Sequence, residues 1–446
     1  MRHVRPPRES PRTIIVSTAL SPLLVIVAIT PAILIHDGTA IYGLLLGLVS
    51  AGVAFTAPRI PAGETAHLHK VILTPAILIA IPAVWMLVQM LPLPIHTLVN
   101  PIWDSAATAL GQPMLGAISI DIGATALAFA KYTLAVGILL LAVLTAADRR
   151  QAKWLLYALT TATTVISLMF LCSRFSNLGF LDALEDPAKR SDALDAAAFG
   201  LILSITTGNR IYERQEMRRS EASRANFRRG FALCLVAFVV CLAALFLGRS
   251  RVVTFAALYG VGGVLAIALI RRLSLGRWGL IALAAVAIVG FIGIAATGSG
   301  IQESDLTVAL ASPSQGTTAL AQRIVSDAPL PGTGAGTYAA LVPIYRTPVE
   351  DEHQTAAPTA AAAISIELGR PMLWYTFIGL VVGALLLLQG ALQRGRDSFY
   401  PAAGTASLIA SLLLVLGNSG LLGAASGSLA AATVGLAIGQ SKSRQV

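Results

Sequence analysis

Arginines are the residues in this sequence whose type and position best fit a chemical role. Arg249 and Arg251 flank a serine in the turn GRSR between two apolar runs, and three more lie in the polar segment 297–371. That segment holds seven acidic residues, so its arginines do not form a general cationic coat. A guanidinium stays charged at any working pH and binds two phosphate oxygens at once, so we expect individual anion ligands. The three arginines of the segment are Arg323, Arg346 and Arg370.

Each of these arginines also has a structural explanation. Those in the polar segment can pair with nearby acids such as Asp327 or Glu350 on a wet surface, where ion pairs contribute little stability. Arg249 and Arg251 can extend toward lipid headgroups from the ends of their apolar runs. The sequence leaves both explanations open.

His353 is the only histidine in segment 297–371, and it follows three acidic residues, 350–352. A histidine can act as a general base near neutral pH, and the alternative is a solvated loop residue. Four consecutive side chains cannot easily point at one ion, so we predict no metal site there. The glycines of PGTGAGTY lack a strand and a helix around them, and they predict a tight turn rather than a dinucleotide site. We therefore expect neither a metal nor a cofactor.

One cation is expected within the membrane. Lys131 lies inside an apolar run, and an intramembrane charge is a candidate functional residue. Asp121, about three helical turns away, can pair with it, or the lysine can extend to the membrane surface. The three cysteines lack metal-ligand spacing and are interpreted as small hydrophobic residues.

The elements that must position these residues are long apolar segments. Hydrophobic residues make up 56% of the 446 residues and charged residues only 12%, whereas a soluble domain has roughly 25% charged residues. A span needs about twenty apolar residues and must satisfy its own backbone hydrogen bonds, so helices are expected. We predict an all-α membrane protein of about twelve transmembrane helices, with one large extracytoplasmic loop that contains short helices. The predicted spans are 13–35, 40–57, 71–90, 124–147, 154–173, 193–209, 231–247, 252–270, 279–296, 372–392, 400–420 and 421–439.

Charge placement predicts the orientation and the domains. With both termini in the cytoplasm, the inner segments hold 23 of the 32 Lys and Arg residues, which follows the positive-inside rule. Because the basic residues are spread over many segments, nucleic-acid binding is disfavoured. The predicted domains are an N-terminal bundle (1–296), a large periplasmic loop (297–371) and C-terminal helices (372–446).

Several outer stretches together match a pattern found in one family of membrane enzymes. A Ser-Arg pair opens a helix at residues 248–251, and the run from Arg323 to Tyr338 contains an arginine, a Pro-Leu and a Gly-rich turn with an aromatic residue. Glu367-Leu368-Gly369 precedes the next span, and LPLPIHTLVNPIW with ISIDIGATALAFAKY forms an early outer loop. On these patches the chain resembles the O-antigen ligase and O-antigen polymerase family of bacterial envelope polysaccharide glycosyltransferases. It departs from that family at residues 358–359, where Pro-Thr replaces a His-Asn pair.

The resemblance implies a glycosyltransferase at the periplasmic face of the bacterial inner membrane. Its donor would be a glycan on undecaprenyl diphosphate, and its acceptor a hydroxyl of a lipid core (ligase) or of another glycan (polymerase). Diphosphate is a good leaving group that needs its charge neutralised, which arginines can do without a metal. The resemblance implies catalytic roles for Arg251, Arg323 and His353. His353 either reaches the site from a shifted register as the acceptor base, or this chain does without the family's base. Arg249 and Arg346 are expected to join Arg251 and Arg323 at the diphosphate.

Two other functions fit the composition. A transporter or flippase of an envelope component would place ionisable residues near the middle of the membrane, where Lys131 is the single candidate. A scaffold of an export complex would leave the outer arginines unexplained. The resemblance favours the transferase over both.

Overall fold

The computed structural model describes residues 11–36, 38–56, 62–93, 98–175, 179–216, 221–273, 318–346, 356–393 and 397–441. Over these residues the chain is α-helical and has no strand, which confirms the predicted helical class. Two short 3-10 helices, Gly179–Glu185 and Gly420–Leu422, precede long helices. The α-helices are α1 (Pro11–Ile35), α2 (Thr39–Thr56), α3 (Ala62–Met90), α4 (Ile102–Leu110), α5 (Ile122–Ala146), α6 (Arg149–Phe175), α7 (Pro187–Glu216), α8 (Glu221–Gly248), α9 (Arg251–Arg272), α10 (Thr318–Asp327), α11 (Tyr338–Tyr345), α12 (Ala360–Glu367), α13 (Arg370–Gln393), α14 (Phe399–Gly417) and α15 (Ala424–Gly439).

Six of the described helices are long and apolar enough to cross a membrane. They are α5, α6, α8 from residue 227, α9, α13 and α14. Shorter apolar helices cover Ser21–Ile35, Thr39–Phe55, Pro75–Met90 and Ala424–Gly439. The chain therefore has the character of a multi-pass membrane protein. The predicted span 279–296 lies outside the described residues.

Hydrogen bonds between helix termini show which helix ends lie next to each other at one end of the bundle. Lys189 Nζ, in the first turns of α7, donates to the carbonyl of Ile35 at 2.8 Å, and Arg190 Nη2 donates to the carbonyl of Gly248 at 3.1 Å. These contacts bring the start of α7 against the ends of α1 and α8. We call this the loop end of the bundle. Here α1, α3, α6, α8 and α14 end, and α2, α5, α7, α9, α13 and α15 begin.

The other termini meet at the opposite end. Arg149 Nε, at the start of α6, forms an ion pair with Asp397 Oδ2 at 3.3 Å, just before α14. Gln440 Nε2, just after α15, donates to the carbonyl of Ala146, the last residue of α5. The chain thus alternates between the two ends, as consecutive crossings of a bundle require.

Helix α7 occupies the centre of the bundle, although its predicted span, 193–209, is short and weakly apolar. Residues 192–204 are all buried. Small side chains allow neighbouring helices to approach closely, as membrane bundles require. At Gly200, a Cβ would lie 2.6 Å from Cys241 Sγ of α8 and 3.1 Å from Thr163 of α6, so only glycine fits there. Close packing, rather than hydropathy, makes α7 an interior helix.

Three short helices at the loop end share a small apolar core of their own. Helices α10, α11 and α12 have 10, 8 and 8 residues. The first residue of α12, Ala360, donates its backbone N–H to the carbonyl of Asn418 at 2.8 Å, which attaches this unit to the bundle. The segment is therefore folded and not an irregular connection. Its core consists of Leu320, Ile324, Val325, Tyr338, Leu341, Val342, Ala357, Ala362, Ala363 and Ile366.

Candidate functional site at the loop end

The junction between α8 and α9 presents two arginines at the loop end. Ser250 is the N-cap of α9, and its side chain accepts the N–H of Val253 at 3.4 Å. Arg251 is the first residue of α9. Arg249 adopts a left-handed backbone conformation with φ +55°, which is uncommon for a residue other than glycine. The sequence pattern therefore located the helix start correctly, and the side chains of both arginines are exposed.

The arginines of the polar segment lie on the short helices and at the start of α13. Arg323 is on α10, Arg346 directly follows α11, and both are half-buried. Arg370 begins α13, and its Nη2 donates to the carbonyl of Val325 at 3.3 Å. Arg370 thus ties α13 to α10, which is a structural role.

Asp327, the acid named as a possible partner for these arginines, contacts a tyrosine. Burial, the charge of Asp327 and a hydrogen bond between the two side chains raise the pKa of Tyr345. The contact joins the end of α10 to the end of α11. Glu350, the other suggested partner, lies outside the described residues.

The Gly-rich stretch forms the predicted tight turn, and a carboxylate anchors it. Gly332, Gly334 and Gly336 all have positive φ, from +77° to +110°. Glu367 Oε2 accepts the backbone N–H of Gly336 at 2.8 Å, and Oε1 accepts that of Tyr338 at 3.1 Å. A Cβ at Gly334 would overlap the side chain of Ser119, so the turn also fits tightly against the segment before α5. We call residues 331–338 the glycine turn.

Burial raises the pKa of Glu367 to about 7, while the two backbone N–H donors oppose this shift. A carboxyl group with such a pKa changes its protonation near neutral pH. Because its ionised form holds two amides of the glycine turn, protonation would weaken that attachment. The charge state of Glu367 is thereby linked to the geometry of the turn.

The end of α3 holds the glycine turn from the other side. The Gln89 side chain is fully buried; its Nε2 donates to the carbonyls of Pro331 at 3.0 Å and Glu367 at 2.9 Å. Its Oε1 accepts the N–H of Ala335 at 3.2 Å. Trp85, one turn earlier, donates its indole N–H to the carbonyl of Leu368 at 2.9 Å. The turn and the start of α13 are therefore fixed to the bundle by side chains of a single helix.

A second buried polar cluster joins α7 to the connection between α14 and α15. Asp192 accepts the N–H groups of Ser426 at 2.7 Å and Ala425 at 3.2 Å, so it caps α15 from a different helix. Asp195 Oδ1 accepts from Asn418 Nδ2 at 2.7 Å. Since the carbonyl of Asn418 also accepts from α12, this cluster connects the bundle to the short helices.

The described arginines of the predicted site lie on separate elements. In the described chain, neither Arg249 nor Arg251 makes a side-chain hydrogen bond or ion pair, so no such contact joins them to Arg323 or Arg346. All four arginines nevertheless lie at the loop end. His353 is outside the described residues, and its predicted role as a base stays a prediction.

Lys131 has a partner other than the expected one. Its Nζ lies 4.7 Å from the centroid of the Tyr42 ring, a cation–π distance. Asp121 instead caps α5 by accepting the N–H of Ala124 at 3.0 Å. The intramembrane cation is therefore accounted for by packing between α2 and α5.

Gln89, Asp192 and Asn418 were missed by reasoning from sequence. Each is a single polar residue near the end of an apolar run, without a motif around it. Their position at the margin of a span was the only available signal. Comparison with protein-family models and with curated proteins gives no match to this chain.

Proposed function

We propose that this protein is a glycosyltransferase of the bacterial inner membrane. It transfers a glycan from an undecaprenyl-diphosphate-linked donor to an acceptor hydroxyl at the periplasmic face, as an O-antigen or exopolysaccharide ligase or polymerase. The residue patterns in the outer segments and the arginines at the loop end support this proposal.

The proposed topology has twelve crossings and cytoplasmic termini. The positive-inside rule makes the opposite end cytoplasmic and the loop end periplasmic. The crossing at 279–296 is outside the described residues, but α9 ends at the opposite end and α10 lies at the loop end, which supports it. Segments 1–296, 297–371 and 372–446 are then the N-terminal bundle, the periplasmic loop and the C-terminal helices.

The observation that carries the proposal is the α8–α9 junction. Two arginines flank the N-cap of α9, and a helix N-terminus itself favours anions. When the acceptor hydroxyl attacks the anomeric carbon, the bond to the diphosphate oxygen breaks and negative charge grows on the leaving group. Fixed guanidinium groups stabilise that charge without a metal. In the proposal Arg251 and Arg323 are catalytic in this sense, Arg249 and Arg346 assist binding, and His353 accepts the hydroxyl proton.

Glycan analysis of a deletion strain tests this function. Loss of long chains with single repeats retained identifies a polymerase, whereas free lipid-linked polymer with a bare lipid core identifies a ligase. Strains complemented with Arg251→Ala or Arg323→Ala should insert the protein normally but lose transfer by about a hundredfold or more. Arg150→Ala is the matched control, because Arg150 is an exposed arginine at the opposite end. Normal glycans in both loop-end variants would contradict the proposal.

A further inference from the structure

Two aspartates of α7 face the connection between α14 and α15. Asp192 and Asp195 are three positions apart, so their side chains lie on the same face of the helix. A Cβ at Gly423 would overlap the carboxyl group of Asp192. A Cβ at Gly420 would overlap both Asp195 Oδ2 and the carbonyl oxygen of Ser191. The two carboxyl groups therefore pack directly against the backbone of one short connection.

Asp192 has the surroundings of an ionised carboxylate. Its Oδ1 accepts the N–H of Ser426 at 2.7 Å, and its Oδ2 accepts that of Ala425 at 3.2 Å. These amides belong to the first turn of α15, where the helix dipole favours a negative charge. Both oxygens of Asp192 are thus hydrogen-bonded in a place that stabilises its charge.

Asp195 has surroundings of a different kind. Its side chain is 0% exposed, and its Oδ1 accepts from Asn418 Nδ2 at 2.7 Å. Its Oδ2 has no hydrogen-bond partner among the residues that the structure describes. The group that shares its position against Gly420 is the carbonyl of Ser191, which can only accept a hydrogen bond. A buried carboxylate with one oxygen left without a donor is strongly disfavoured.

No positive charge compensates Asp195. Within the described ranges it forms no ion pair, and the negative charge of Asp192 lies one helical turn away. Lys189 and Arg190, on the same helix, donate to carbonyls at the ends of α1 and α8. Other charged side chains at this end of the bundle are exposed and do not face the buried group: Arg174, Asp182, Glu185, Asp186, Arg249 and Arg251.

We propose that Asp195 is a proton-binding site and is a neutral carboxylic acid in the folded protein at neutral pH. Protonation removes the uncompensated charge and turns Oδ2 from an acceptor into an O–H donor on the side of the Ser191 carbonyl. The two aspartates then differ in charge because their surroundings differ: helix amides hold Asp192 ionised, and burial holds Asp195 neutral.

The proton supports the attachment of the short helices. Asn418, which contacts Asp195, also accepts the N–H of Gly420 through its Oδ1 at 3.1 Å and that of Ala360 through its backbone carbonyl at 2.8 Å. Ala360 begins α12, and Glu367 at its end anchors the glycine turn. Ionisation of Asp195 would place a second buried negative charge in this junction and weaken it. The inference does not depend on glycan transfer.

Infrared spectroscopy of the full-length protein in nanodiscs tests the site. The C=O band of a carboxylic acid is separate from the bands of a carboxylate, and exposed acids are ionised at about pH 7. The measurement uses Glu367→Gln as the background, because Glu367 has a pKa of about 7 and would contribute its own band. We expect this background to retain a carboxylic acid band equivalent to one group per chain. Adding Asp195→Asn should remove that band, whereas adding Asp192→Asn should leave it.

Each outcome decides for or against the proton site. Loss of the band in Asp195→Asn alone supports it. Absence of the band from the Glu367→Gln protein would overturn it, and this result needs no variant of Asp195 to fold. A band that survives Asp195→Asn, or that disappears in Asp192→Asn instead, would overturn it as well. Loss of glycan transfer by Arg251→Ala, or its retention, has no bearing on this result.

Discussion

Replacing Gln89 with leucine should release the glycine turn while the bundle stays folded. Leucine has a similar volume, so the substitution removes mainly hydrogen bonds. The carbonyl of Pro331 and the N–H of Ala335 would each lose the Gln89 side chain as a partner. The carbonyl of Glu367 would lose one of its two donors and keep the N–H of Gly334. Leaving a buried polar group unsatisfied costs about 1–3 kcal/mol, so we expect a local destabilisation of about 3 kcal/mol or more.

Hydrogen exchange measured on the protein in nanodiscs gives a local readout. A destabilisation of this size should accelerate exchange in residues 331–338 by about a hundredfold, because each 1.4 kcal/mol is tenfold in an opening equilibrium. Exchange within α6 and α7 should not change. Gln322→Leu, at an exposed position on α10, is the control. Unchanged protection of the turn in Gln89→Leu would refute the idea that α3 holds it.

Three further results are expected. Arg249→Gly should leave the free energy of unfolding unchanged or raise it by up to about 1 kcal/mol, since glycine relieves the left-handed strain; a lower Tm would contradict this. Folding raises the pKa of Glu367 to about 7 because burial of the ionised carboxylate costs more than its two N–H donors return. The folded chain therefore binds this proton more tightly than the unfolded chain, and stability should fall as pH rises from about 4.5 to 7 by at most about 3 kcal/mol. Glu367→Gln should flatten that pH dependence in thermal unfolding, and an unaltered profile would exclude Glu367 as its cause. Asp192→Ala should lower the free energy of unfolding by about 1–3 kcal/mol, because two N–H groups of α15 lose their cap; an unchanged Tm would argue against this cap.

Features determined by local sequence were predictable. The Ser-Arg pair in GRSR was expected to open a helix, and the predicted span began at residue 252. Helix α9 begins at Arg251, because the short polar side chain of Ser250 caps it. The glycines of PGTGAGTY predicted a tight turn, because several positive φ angles in succession suit glycine alone. The boundary between the last two predicted spans, at 420–421, falls within the connection between α14 and α15.

Features that depend on contacts between distant segments were not predictable. Nothing near Gln89 indicates that it meets residues some 240 positions later, and Asp192 caps a helix that begins more than 230 residues away. Lys131 was expected either to pair with Asp121 or to extend to the membrane surface, but the structure places the Tyr42 ring beside it. The central position of α7 was missed because its charged ends lower its hydropathy while its small residues allow close packing.

Transfer by the purified protein is the most direct test of the proposed function. The full-length chain is reconstituted in vesicles with a prenyl-diphosphate-linked glycan and a hydroxyl acceptor, and the covalent product and the released prenyl diphosphate are measured. We predict equal amounts of both, with Arg251→Ala forming neither and Arg150→Ala forming both. Movement of the intact lipid-linked glycan across the vesicle membrane without any covalent product would contradict the proposal and identify a transporter instead.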